Sequence, residues 1–222
     1  MSENKPSIAV IGGTGNLGWA LARRWAKAGL AVTIGSRGAE KAQDAARQIN
    51  DSGSTAEANG MTNEEAAAAA EIVVVAVPFA SQESILKSIA GAAKGKLIVD
   101  TTVPLVPPKV ARVQMPESGC AALAARAILG EEARLVTAFH NVAAHKLKED
   151  VDIECDVLVF GDKAADRDIV VDLAESAGLT GIHGGPLANS VAAEALTSIL
   201  IGINKRYNAD GAGIRITGLD SA

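Results

Sequence analysis

Ile8-Ala-Val-Ile-Gly-Gly-Thr-Gly-Asn-Leu-Gly18 decides how the rest of the chain is read. Four apolar residues run into Gly13-x-Gly15-x-x-Gly18, and an Ala-rich amphipathic segment follows at once. Between a strand and a helix this glycine spacing has a mechanical meaning. The first glycine permits a tight turn, the second lets backbone approach a pyrophosphate, and the third lets helix and strand pack closely. Backbone N–H groups at the helix start then face the phosphates, backed by the positive end of the helix dipole. Glycines also serve ordinary turns, so the spacing counts because of its place after the first strand. Gly12, Gly13, Thr14, Gly15, Asn16 and Leu17 are the expected dinucleotide contacts.

Outward from this turn, Val- and Ile-rich runs at Ile8 to Ile11, Val32 to Ile34, Ile72 to Val77 and Leu97 to Val99 alternate with Ala-rich segments of helical period. Leu135 to Phe139, Val157 to Phe160 and Gly181 to His183 are later strand candidates. The runs are continuously apolar, as parallel strands covered by helices on both faces require. Helices are predicted at Leu17 to Ala28, Ala39 to Ile49, Asn63 to Ala70, Gln82 to Ala92, Ser118 to Leu129, Ala164 to Ser176 and Val191 to Tyr207. Gly29 and Gly178 are placed to close helices, with Thr62 and Ser190 as N-caps. Val103 to Lys109 and Gly184 to Asn189, rich in Pro and Gly, read as loops at strand ends bordering a crevice. The expected fold is α/β, a Rossmann-type doubly wound, mostly parallel sheet with a small C-terminal helical appendage. Residues 1–184 would form the dinucleotide-binding domain. Residues 185–222, including the last helix and Ile214 to Thr217, would form a subdomain completing the cleft.

The 222 residues are 48% hydrophobic and 21% charged, with a net charge of −5, which argues against nucleic acid as a partner. The start, Met-Ser-Glu-Asn-Lys-Pro, is polar and no run of about 18 consecutive apolar residues follows, so a cytoplasmic protein with no membrane partner is expected. Cys120 and Cys155 lack CxxC spacing and read as packing residues. His140 and His145 lie five apart, outside helical zinc spacing, and no metal site is expected.

An NAD-preferring site ends its second strand in Asp or Glu for the adenosine ribose. Here the strand ends Gly35-Ser-Arg37, with Lys41 one turn into the next helix. Ser36, Arg37 and Lys41 therefore offer a hydroxyl and two cations where the 2′-phosphate of NADP would sit.

Gly12 to Gly18, Gly35-Ser-Arg37, Val77-Pro78, Phe139-His140, Gly185-Pro-Leu-Ala-Asn-Ser190 and Asn204-Lys-Arg-Tyr207 together resemble the NADPH-dependent reductases of the deazaflavin coenzyme F420, in order and across essentially the whole chain. The resemblance implies hydride exchange between NADP(H) and the deazaflavin, two rings stacked face to face in one cleft. It carries over Thr14, Gly15, Asn16, Leu17, Ser36, Arg37 and Lys41 as NADP contacts, with Val77 and Pro78 beside the nicotinamide ribose. Phe79, His140, Asn141 and Val142 would approach the second ring. Such a transfer needs juxtaposition more than acid–base groups. His140 is the one candidate catalytic side chain, and a histidine simply satisfied at a strand end is the equal alternative. His145 reads as a helix-surface residue and His183 as a loop residue. Two rivals share the cofactor half: an NADPH reductase of a flavin, quinone-like ring or small carbonyl or imine compound, and a non-catalytic NADP-sensing module. No Tyr-x-x-x-Lys pair supports a short-chain dehydrogenase. A soluble enzyme of this size with so apolar a last helix is expected to be a homodimer.

Overall fold

A computed structural model describes residues 5–219; the polar start over residues 1–4, on which part of the cytoplasmic expectation rests, lies outside them. Its strands are β1 (Ile8–Ile11), β2 (Val32–Ser36), β3 (Ala58–Thr62), β4 (Ile72–Val75), β5 (Leu97–Asp100), β6 (Arg134–Thr137), β7 (Asp156–Gly161) and β8 (Thr180–Gly185). Helices are α1 (Asn16–Lys27), α2 (Ala39–Asp51), α3 (Asn63–Ala69), α4 (Phe79–Ile89), α5 (Ala121–Leu129), α6 (Ala144–Lys148), α7 (Ala164–Ser176) and α8 (Ser190–Tyr207).

One sheet holds all eight strands in the order β3-β2-β1-β4-β5-β6-β7-β8. Every pairing is parallel except β6 with β7. Successive side chains of a strand point to opposite faces, and β1 shows why its run is apolar throughout. Ile8 and Val10 enter one core with Trp25, Ile34 and Phe139, while Ala9 and Ile11 enter the other with Val73, Leu86 and Ile98. Trp25 joins the two ends of the first core: its ring meets Phe139 edge-on at 5.9 Å, and its Nε1 donates to the Leu173 carbonyl at 2.8 Å.

The doubly wound sheet and last helix stand as expected, with local corrections. β3 went unread because Ala-Asn-Gly-Met-Thr has no β-branched run. It is an edge strand with much of its length half-buried, and Gly60 lets α2 lie against it, since a Cβ there would fall 2.3 Å from the Ala42 backbone. α6, only five residues long, also gave no periodic signal. α4 begins at Phe79, three residues before the predicted start, with Pro78 fixing its entry. Thr62 does cap α3, in a reciprocal box with Glu65. Ser190 does not cap. It is already helical, and its hydroxyl donates to the Leu187 carbonyl and lies 2.6 Å from Thr137 Oγ1. β8 continues through Gly185, so His183 lies in a strand, not a loop, and the residue after position 184 still belongs to the sheet.

Candidate functional site

The turn after β1 is shaped by contacts that exclude side chains. Gly12 carries φ +76°, and a Cβ there would meet the Ala76 carbonyl at 2.6 Å. The left-handed residue of the tight turn is thus Gly12, one position before the glycine first assigned to it. Gly18 brings α1 against the turn: a Cβ would lie 2.9 Å from the Gly12 carbonyl. Gly15 caps α1 with no side-chain acceptor, and the first turn holds no acid. Its N–H groups are left for an external anion.

Above this turn opens a cleft of about 800 Å³. Gly12, Thr14, Gly15, Ser36, Arg37, Lys41, Val77 and Pro78, all expected cofactor contacts, line it. Register explains the convergence: β1 lies between β2 and β4, with Ile11 beside Gly35 and Val75, so three strands end together. Arg37 and Lys41 are exposed at its mouth and, among the described residues, neither has an ion-pair partner. Asn63, Ser81, Ser84 and Ile85 also line it and were missed, since nothing local marks them. Of the remaining expected contacts, Gly13 is buried beneath the turn, Leu17 packs on the core, and Asn16 faces an adjoining groove.

The residues expected near a second ring are split. Phe79 starts α4 beside Pro78, half-buried. His140, Asn141 and Val142 follow β6, two strands away from β4, and do not line the 800 Å³ cleft. Phe139 turns the chain there with φ +65°. Asn141 donates to the Ala193 carbonyl at 2.9 Å and to Thr197 Oγ1 at 3.0 Å, and Thr197 Oγ1 donates to the His140 carbonyl at 2.9 Å. Val142 packs on the core. His140 is 6% exposed, its Nε2 has no hydrogen-bond partner, and burial lowers its pKa to about 4. The imidazole is therefore neutral at neutral pH. His145 is exposed on α6, 2.8 Å from Asp210, as a helix-surface residue should be.

A buried acidic cluster lies at the end of β5, unforeseen from the sequence. Gln82 of α4 donates to Asp100 at 2.5 Å and to the Ala121 carbonyl at 3.2 Å; the Thr102 N–H donates to the other Asp100 oxygen at 3.0 Å. Glu194 of α8 accepts from the Ala121 and Ala122 N–H groups at 2.6 and 3.0 Å, capping α5 from another helix. Desolvation raises both carboxyls, outweighing these hydrogen bonds, and the nearby Asp100 charge adds to the rise of Glu194 to about 7. Burial also pushes the Cys120 thiol up; it and Cys155 are free and buried. Two signals were legible: Asp100 ends an apolar strand, and Glu194 is the lone charge in Val191 to Ile203.

The chain is similar to known proteins over most of its length. The F420-dependent NADP reductase of Methanocaldococcus jannaschii is 37% identical over 223 residues, spanning 96% of this chain and 99% of that protein. The chain belongs to the F420-dependent NADP reductase family. A second such reductase, from Methanothermobacter thermautotrophicus, is 39% identical over 220 residues, 96% of this chain and 95% of the relative. The family model for "NADP oxidoreductase coenzyme F420-dependent" matches residues 7–104, the half that holds the glycine turn and the Arg37 loop. In fold, a crystal structure of a putative F420-dependent NADP reductase from an Arthrobacter species superposes with a TM-score of 0.78 at 23% identity, covering 95% of this chain and 98% of that one. A reductive aminase from Aspergillus terreus with bound NADPH gives 0.62 at 18% identity, over 92% and 63% of the two chains.

Proposed function

We propose that this chain transfers a hydride between NADP(H) and the deazaflavin coenzyme F420. The observation that carries the reading is the convergence of the glycine turn with Ser36, Arg37 and Lys41 in one cleft, in a chain whose family is named for that reaction. The residues fit the dinucleotide: side-chain-free backbone and the open start of α1 for the pyrophosphate, and for the 2′-phosphate two cations without an ion-pair partner among the described residues. When bound, NADPH supplies the hydride. Thr14, Gly15 and Asn16 would hold its phosphates on a turn that Gly12 and Gly13 shape from beneath and Leu17 anchors to the core, Ser36, Arg37 and Lys41 would select it over NADH, and Val77 and Pro78 would orient its ribose. Phe79, His140, Asn141 and Val142 border the acceptor ring. Of the 185–222 subdomain, the described residues after β8 would complete the cleft, because α8 holds the His140–Asn141 segment through Ala193 and Thr197; residues 220–222 lie outside the described residues.

His140 fits positioning better than proton donation. An imidazole neutral until about pH 4 is a poor general acid at pH 7, which disfavours carbonyl reduction through this residue. Mixing the protein with NADPH and oxidised F420 and following the deazaflavin's visible absorbance tests the reading. Bleaching with NADPH upholds it. NADPH binding without bleaching moves the acceptor to a flavin, quinone or carbonyl compound, and binding with no acceptor found leaves an NADP sensor.

The reading includes a cytoplasmic homodimer. Leu187–Tyr207 is long and apolar enough to cross a bilayer, with mean hydropathy 1.3. Its polar residues Ser190, Glu194 and Ser198 are buried against the protein, however, and the outward stripe is Val191, Ile199, Ile203 and Tyr207. With these three polar residues turned inward, an apolar stripe outward and Lys205 and Arg206 exposed at its end, the helix suits a protein neighbour, here a second copy, with Val106 and Val113 exposed on the preceding loops. Light scattering should give a dimer mass that Ile199→Glu halves.

A further inference from the structure

Pyrophosphate and 2′-phosphate each bring negative charge to the cleft, yet Arg37 and Lys41 stand only on the β2 side. The structure offers a third cation from the far half of the chain. Lys148, the last residue of α6, places its Nζ 2.8 Å from Asn16 Oδ1, across 132 residues of sequence. Asn16 is the first residue of α1, where the free N–H groups lie. We infer that Lys148 is a phosphate ligand at the glycine turn, contacting the pyrophosphate of the bound dinucleotide together with Asn16; this rests on the NADP(H) reading above.

Three observations converge. First, the ammonium has no carboxylate partner among the described residues, whereas Lys27, Lys87 and Lys146 each lie within 4 Å of an acid. A cation held only by a neutral amide oxygen keeps donors for an anion. Second, it is held in place: its Nζ lies over the Trp19 ring, 6.0 Å from the centroid. α6 itself is tied to α1 by Arg24, whose guanidinium donates to the Leu147 and Glu149 carbonyls at 3.0 and 2.6 Å. Third, Lys148 and Lys41 line one groove with Thr14, Gly15 and Asn16, so the two lysines flank the turn. The Asp44 carboxylate in that groove is paired with Arg47. With its oxygen occupied by Lys148, the Asn16 amide presents its Nδ2 as a further donor.

Pyrophosphate is common to NADPH and NADH, and the 2′-phosphate is not, so the two nucleotides separate the sources of a phosphate contact. Wild type, Lys148→Met, Lys148→Arg and Arg37→Ala are titrated with each, with thermal melting as the folding check. The expected result is about a tenfold loss of affinity for both nucleotides in Lys148→Met, the size of one charge-assisted hydrogen bond, recovered largely in Lys148→Arg. Affinity in Lys148→Met should also depend less on salt. Unchanged affinity for both nucleotides, with Arg37→Ala still weakened toward NADPH, overturns the inference and leaves the cofactor reading standing. A loss confined to NADPH overturns the pyrophosphate assignment in favour of the 2′-phosphate. Wild type that binds neither nucleotide overturns the reading and the inference together.

Discussion

The two halves of the sheet build by opposite means. At β1 and β2 the candidate site is made of consecutive residues, the Gly12 to Gly18 turn, mostly backbone, and the Ser36 to Lys41 stretch. Around β5 and β6 it is made of side chains from distant elements, with Gln82, Asp100, Thr137, His140, Asn141, Ser190, Glu194 and Thr197 drawn from five segments and largely buried. A backbone site is set by turn geometry and tolerates change in neighbouring side chains. A side-chain site is only as well placed as its partners, so changes there act on stability and on ligand together.

The largest expected effect lies in the first half. Gly12→Val puts a Cβ 2.6 Å from the Ala76 carbonyl at positive φ, a strain of at least about 3 kcal/mol. NADPH binding in a fluorescence titration should disappear, and a variant that still binds would show that the turn is not rigid. Next comes Glu194→Ala. Leaving two helix N–H groups unpaired should cost on the order of 3 kcal/mol, a fall of roughly 6–12 °C in melting temperature for a chain of this size. Loss of NADPH affinity with no loss of stability would reverse the contrast drawn between the halves.

The Glu194 carboxyl sharpens the comparison through pH. Its folded value of about 7 lies above the ordinary 4.5, so the folded state binds the proton more tightly than the unfolded. This favourable difference is complete below the unfolded value and is lost as pH rises through about 7. Stability measured by denaturant melts should carry a falling component from about pH 4.5 to 7 that is absent in Glu194→Gln. His140 has the opposite sign. Its folded pKa is lowered to about 4 from 6.5, so its contribution is present above 6.5 and lost as pH falls toward 4. His140→Gln should flatten that acid limb.

Arg37→Ala is a smaller effect, confined to one ligand. A solvent-facing charge-assisted contact is worth about 1–2 kcal/mol, so the KM for NADPH should rise roughly five- to thirty-fold with that for NADH unchanged. An equal rise for both would place Arg37 on a feature that the two nucleotides share. The smallest effect is expected from His140→Gln on turnover: a change in kcat of less than about tenfold, since a positioning imidazole contributes no proton. A thousandfold loss would make His140 a catalytic acid or base after all.

The first half was legible because its determinants are local. Strand, GxGxxG and helix stand in order at Ile8 to Lys27, and the absence of an acid at the end of Val32–Ser36 could be read from neighbouring letters. The second half was read in outline, since β5 to β7 announce themselves as apolar runs, but its polar contacts were not. Asp100 and Glu194 are 94 residues apart by their numbering, and Lys148 reaches Asn16 over 132. β3 and α6 escaped because neither carries an apolar period strong enough to compete with the elements that cover it.

By itself, then, the sequence determined the α/β class, the glycine turn and the Ser36–Arg37 edge, each a property of adjacent residues and of backbone with little steric freedom. Only the tertiary structure decided that α8 is pinned by Glu194 to the start of α5, that His140 is buried and neutral, and that Lys148 stands over the glycine turn. Those facts depend on desolvation and on distances between segments far apart in the chain, and both come into being only when the sheet has closed the order β1-β4-β5-β6.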